Sequence, residues 1–169
     1  MAITVPAGFM VLGLPVPQGD LTCSRGPNHR LYHQNKKTLE PWRAKVEAGA
    51  RRWITETADE GQPLDVVLTW SLPRPKSHWG TGRNADRLKD SAPAYPTPQP
   101  DLDKLTRAVF DALTASKRIV DDAQITDAVV RKRYATTREA GWSSEVVAYV
   151  DDVLTCPGVV VRIYPIGDE

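Results

Sequence analysis

Two hydrophobic periods alternate along this chain, and that alternation constrains its fold more than any other feature. Phe9–Leu14 (FMVLGL) is an apolar run of strand length, stopped by PVPQG. The next apolar residues, Trp42, Val46, Ala50 and Trp53, fall at helical spacing. A helix is predicted from Thr38, as N-cap, to about Thr57, with Pro41 in its first turn. Its other side carries Arg43, Arg51 and Arg52. Leu64–Leu72 (LDVVLTWSL) reads as a mostly buried strand. A second helix is predicted over Leu102–Ala115, with Leu102, Leu105, Ala108, Val109, Ala112 and Leu113 forming one apolar stripe. Ile119 and Val120 begin a short extended piece ending at Asp121-Asp122. Ala128–Tyr134 (AVVRKRY) reads as a strand with a basic end, and Val159–Tyr164 (VVVRIY) as the last strand. Ser144–Leu154 fits helix and strand equally. The order β, helix, β, helix, β, β defines an α/β (α+β) fold, a mixed sheet packed by two main helices. With 169 residues, 41% of them hydrophobic, the chain suits one domain over 1–169.

Two segments break the alternation. From Asp20 to Asn35 the turn residues Gly26, Pro27 and Asn28 predict a basic hairpin or ordered loop. Pro73, Pro75, Pro93, Pro96, Pro98 and Pro100 mark a long proline-rich loop over 73–100. It carries Arg74, Lys76, His78, Arg83, Arg87 and Lys89, so it reads either as a mobile DNA-contacting loop or as a plain insertion. Trp79 and Trp142 sit in loop-like positions, where stacking on unpaired bases competes with packing onto their own domain. Trp42 and Trp53 read as core.

The formal net charge is only +1, but its distribution is uneven. Arg25, Arg30, Lys36, Lys37, Arg43, Lys45, Arg51 and Arg52 are opposed locally by Glu40 and Glu47 alone. A second basic cluster is Arg131, Lys132 and Arg133. Aspartates lie between them. A basic frame around an acidic spot suits a protein that holds a polyanion and binds metal at one point; solvated surface charge is the plain alternative. No run of about 18 apolar residues is present, which argues against a membrane span. Pro6, Pro15 and Pro17 interrupt the N-terminal stretch, which argues against a signal peptide. Cys23 and Cys156 lack metal-type spacing; they allow a disulfide without implying one, and reduced thiols of a cytoplasmic protein are the simpler reading.

The chemistry is concentrated in Pro100–Asp127. Asp101 and Asp103 flank one residue where a proline-rich stretch enters a helix. Residues two apart share a side on extended backbone, so a cap conformation there would converge both carboxylates. Converging carboxylates are the hard oxygen ligands of Mg²⁺ or Mn²⁺. An aspartate ahead of an apolar helix is equally an N-cap. Asp121-Asp122 is harder to read as a cap, because adjacent carboxylates repel unless a cation or donors offset them. By spacing alone, metal ligands and caps remain equal readings.

The ungapped run DLDKLTRAVFDALTASKRIVDDAQITD, Asp101–Asp127, resembles the signature of the RusA family of Holliday-junction resolvases. The matching features are Asp101-Leu102-Asp103, then Phe110-Asp111-Ala112-Leu113, then Asp121-Asp122 and Gln124. The resemblance implies a homodimer that cuts four-way DNA junctions with paired symmetric nicks, in recombination and repair, using Mg²⁺ with Mn²⁺ as substitute. It implies Asp101, Asp103 and Asp122 as catalytic carboxylates and Asp121 as a further metal ligand. Arg107 stands where the family usually has lysine; it keeps the charge but cannot give up a proton. Lys104 points away from that side of the helix. DNA contacts are expected from Arg25, Arg30, Lys36, Lys37, Arg74, Lys76, Arg131 and Lys132, with His29, His33 and His78 assigned DNA contact or nothing. A nuclease of forks or flaps, and a junction binder with an impaired site, are the alternatives. Pro73–Pro100 and Arg138–Pro157 are longer than in compact members.

Overall fold

The computed structural model describes residues 6–23, 31–136 and 152–167. In chain order its elements are β1 (Ala7–Leu12), β2 (Leu21–Cys23), β3 (Leu31–His33), α1 (Lys36–Trp53), β4 (Leu64–Leu72), α2 (Leu102–Ala115), β5 (Ile125–Tyr134) and β6 (Gly158–Pro165). The predicted mixed sheet is present, with strand order β1-β6-β4-β5. β6 runs antiparallel to both β1 and β4, while β5 pairs parallel to β4. A parallel pair needs a long crossover. Here the crossover is the proline-rich segment followed by α2. The predicted hairpin is the two-stranded β2-β3 ribbon.

Alternation within each strand builds the core. Phe9 and Val11 of β1, Leu64, Val66, Leu68 and Trp70 of β4, and Val159, Val161 and Ile163 of β6 are all buried. Facing them are Leu39, Trp42, Val46, Ala50 and Ile54 from α1 and its end, and Leu105, Ala108, Val109, Ala112 and Leu113 from α2. The Trp42 and Trp70 rings meet at 6.2 Å. Gly49 lets α1 approach β1: a Cβ there would stand 2.8 Å from Phe9 Cδ2. On the opposite face, Ser71 Oγ accepts from the Leu154 N–H at 2.8 Å.

Several element ends differ from the sequence reading. α1 starts at Lys36, so Pro41 lies in its second turn, and Asn35 rather than Thr38 flanks it. Asn35 does not cap the helix. Its amide donates to Pro17 O at 2.7 Å and accepts from Gly19 N at 3.0 Å, which fastens the PVPQG segment to the helix start. The helix stops at Trp53 because Ile54 turns extended to enter the core. Trp53, expected inside, is 59% exposed. Ile119 and Val120 form no strand; a 3-10 turn at Asp122–Gln124 follows instead, and β5 begins at Ile125. The segment over 73–100 is not structureless. It holds 3-10 turns at Lys76–His78 and Gly82–Asn84, and the bonds Gly80 N–Arg87 O and Lys89 N–His78 O, both 2.9 Å. Trp79 is buried, so it packs onto its own domain. Cys156 is a buried free thiol. Trp142, Arg25, Arg30 and His29 lie outside the described residues, as does Ser144–Leu154 up to residue 151.

Candidate active site

The expected acids fall on one helix and one turn. Asp101 is the N-cap of α2, with extended backbone (φ −68°, ψ 139°) and no capping hydrogen bond from its carboxylate. Its carbonyl accepts the first helical bond, from Leu105 N at 3.2 Å. Asp103 lies in the first turn, where negative charge is favoured by the helix dipole. The chain ahead of Asp101 is held from β5: Lys132 Nζ donates to Pro98 O at 2.9 Å and to Pro100 O at 3.0 Å.

The second pair is committed differently. Asp121 accepts from Ala123 N at 2.8 Å as the first half of a capping box. Gln124 closes it: Oε1 accepts from Val120 N at 2.7 Å and Asp121 N at 3.3 Å. The Gln124 amide donates to Asp59 O at 2.6 Å and Gln62 O at 3.2 Å. Gln124 is thus buried but fully engaged. Its role was missed as structure, although Asp-x-x-Gln is the spacing of a capping box.

An open cleft of about 490 Å³ between α2 and β5 brings Asp103, Arg107 and Asp122 together, with Leu102, Phe110, Ala128 and Val130 as apolar walls. Asp101 and Asp121 do not line it. The Asp122 carboxyl is pushed above its ordinary value, first by loss of water and then by hydrogen bonding and charge from Asp121 and by the charge of Asp111. Asp111 itself pairs with Arg43 of α1, whose guanidinium also donates to Gln18 Oε1 at 2.6 Å. That network ties the PVPQG segment, α1 and α2 behind the cleft. Arg107 is exposed, and no ion pair among the described residues engages it. Lys104 turns to Asp20 at 3.2 Å, and that contact raises its pKa, so it is directed as expected.

Among the described residues, no group of three or more Asp, Glu, His or Cys stands close enough to hold a metal by itself. Asp101 takes the extended cap conformation expected ahead of the helix, and Asp103 follows it in the first turn. What fits a divalent ion is the pair Asp103 and Asp122. Mg²⁺ is commonly held by one or two carboxylates, with substrate phosphate and water completing the shell.

The described members of the expected DNA-contact set are divided among α1, the proline-rich segment and β5. Arg131 and Lys132 are strand neighbours and so face opposite sides of the sheet. Arg74 lies 4.3 Å over the Tyr134 ring and donates to Pro93 O at 2.9 Å. Lys36 pairs with Glu40 at 3.3 Å, and Lys76 is exposed. Lys37 borders a larger groove of about 570 Å³, shared with Leu14, Pro41 and Pro157, which contains none of the acids. His33 Nδ1 contacts Gly19 O at 2.8 Å, and the His78 ring meets the Tyr134 edge.

An α+β domain whose open cleft sets two carboxylates beside an unpaired arginine has the makings of a phosphodiester-cutting protein. Residues 13–140, about three quarters of the chain, match the profile of endodeoxyribonuclease RusA. The chain belongs to that family, the RusA Holliday-junction endonucleases. The match reaches well beyond the acidic segment and takes in β4, both helices and β5. No curated protein matches the chain. No helix among the described residues is long and apolar enough to cross a membrane.

Proposed function

We propose that this protein is a Mg²⁺-dependent endodeoxyribonuclease that resolves four-way DNA junctions by paired symmetric nicks, acting as a cytoplasmic homodimer in recombination and repair. The observation that carries this reading is the cleft in which α2 and the turn before β5 present Asp103, Arg107 and Asp122 together, inside the family-matched segment. Asp103 and Asp122 would supply the hard oxygen ligands, with Asp101 at the start of the same helix and Asp121 next to Asp122 in the chain. Asp103 and Asp122 would hold Mg²⁺ or Mn²⁺, whose chemistry there would be activation of water and neutralisation of charge on the scissile phosphate. Arg107 neutralises a non-bridging phosphate oxygen. It stays protonated throughout, so the proton for the leaving oxygen comes from elsewhere, most simply from solvent. Phe110, Ala128 and Val130 wall this open cleft without closing it, and Asp103, Arg107 and Asp122 stay accessible to a phosphate backbone. A two-fold dimer sets two clefts on two arms of one junction, which yields paired nicks.

The absence of a three-acid group among the described residues, with arginine at the usual lysine position, favours one second reading: a junction binder with an impaired site. Cleavage mapping on a labelled mobile four-way junction, in Mg²⁺ and in Mn²⁺, separates the two. The nuclease gives symmetric paired nicks; a binder retards the junction without nicking; trimming at a flap points to fork-type specificity. Asp103→Asn is expected to bind the junction while cleavage falls about 10²–10³-fold, the scale of removing one electrostatic stabiliser. Full cleavage by that variant overturns the assignment.

A further inference from the structure

We infer that Lys132 is the positioning residue for Asp101, rather than a phosphate contact. The stretch Pro98-Gln99-Pro100 is poor in donors, since its prolines carry no N–H, yet each residue still presents a carbonyl. Lys132 supplies the missing donor. Its ammonium group bridges Pro98 O and Pro100 O at 2.9 and 3.0 Å, and the second of these carbonyls belongs to the peptide that joins Pro100 to Asp101. The base of the tether is firm, because Lys132 pairs in register with Trp70, a fully buried residue of the central strand β4. The half-buried lysine therefore fixes where the chain leaves the proline-rich segment and where α2 starts. β5 follows directly from the turn that carries Asp121 and Asp122. One strand thus references both acidic pairs: the second by chain connection, the first by the Lys132 tether.

A positioning role and a phosphate-binding role differ in what they move. The inference rests on the nuclease reading for its activity arm, but its structural arm stands alone. Lys132→Met keeps the apolar stem and removes the donors; Lys132→Gln is the second variant should the first not fold. Hydrogen exchange is followed at the Leu105 amide, which donates to Asp101 O at the helix start, with Val109 as the internal control. Protection at Leu105 is expected to fall at least about tenfold, with Val109 unchanged. The salt dependence of four-way-junction binding is expected to keep its slope, whereas a lost phosphate contact lowers it by about one. Single-turnover cleavage at saturating enzyme is expected to fall about tenfold in the Lys132→Met single variant. In an Asp101→Asn background the same change is expected to cost less than about twofold, because both act through one group. A reduced salt slope with Leu105 protection intact overturns the inference, as does full additivity with Asp101→Asn. If the parent protein binds junctions without cutting them, the nuclease reading fails, and the exchange measurement still decides the tether.

Discussion

The two aspartate pairs look alike in sequence and differ in what holds them. Asp101 and Asp103 sit at the start of a fourteen-residue helix, and Asp101 makes no capping bond with its side chain. Asp121 and Asp122 sit on a three-residue turn, where Asp121 is engaged with Ala123 N and braced by Gln124. In each pair one residue reaches the cleft and its partner does not: Asp103 rather than Asp101, Asp122 rather than Asp121. The helical pair is placed by a tether and a packed helix; the turn pair is placed by hydrogen bonds around one buried amide. Acid count alone therefore says little about ligand count. What matters is which carboxylates the local backbone turns toward the cleft.

The sharpest way to break this comparison is Asp122→Asn. Cleavage of the labelled junction is expected to drop about 10²–10³-fold. Stability is expected to move the opposite way. The Asp122 carboxyl titrates higher in the folded chain than in the unfolded one. Its contribution to stability is thus fully present below the unfolded value and is lost as pH rises through the folded one. At neutral pH the neutral amide should leave the melting temperature equal or higher, by less than about 2 °C. A clear fall would show that Asp122 holds the turn together.

Next in size is Gln124→Ala, which removes four hydrogen bonds and orphans buried backbone groups. A loss of about 2–3 kcal/mol is expected in urea unfolding. A loss below half of that would mean water takes over the contacts. Asp121→Ala should cost about 1 kcal/mol through the lost cap, while Asp121→Asn, an equally good cap, should cost only a few tenths. The smallest effect sharpens the electrostatics. Asp121→Asn removes the neighbouring charge that helps hold Asp122 high, so the acidic limb of the cleavage profile should move to lower pH. An unmoved limb would assign the Asp122 shift to lost water and Asp111 alone.

Much of this fold was legible because periodicity reports burial. The stripe on α2 and the run LDVVLTWSL gave those elements with the bounds observed, since packing against the core enforces both. Periodicity failed where side chains serve local purposes. Asn35 holds a neighbouring loop instead of the helix it precedes, and Ile54 takes the core place offered to Trp53. The acids were legible as a set through the family signature, but their division of labour was not. Which carboxylate faces the cleft is set by local backbone, at the helix boundary at Leu102 for one pair and at the capped turn of Asp121 for the other. Lys132 was read from its charge as a DNA contact. Nothing in its own neighbourhood signals that its partners are carbonyls some thirty residues earlier.

The parallel pairing of β4 with β5 has a practical consequence. It obliges the chain to travel from one end of the sheet back to the other, and this protein divides that journey into two legs. The first leg, over 73–100, is fastened at its far end by Lys132. The second, α2 and the turn after it, has its length set by packing. The distance from Asp103 to Asp122 is therefore set by the second leg and not by the length of the first, whose middle is itself packed around the buried Trp79.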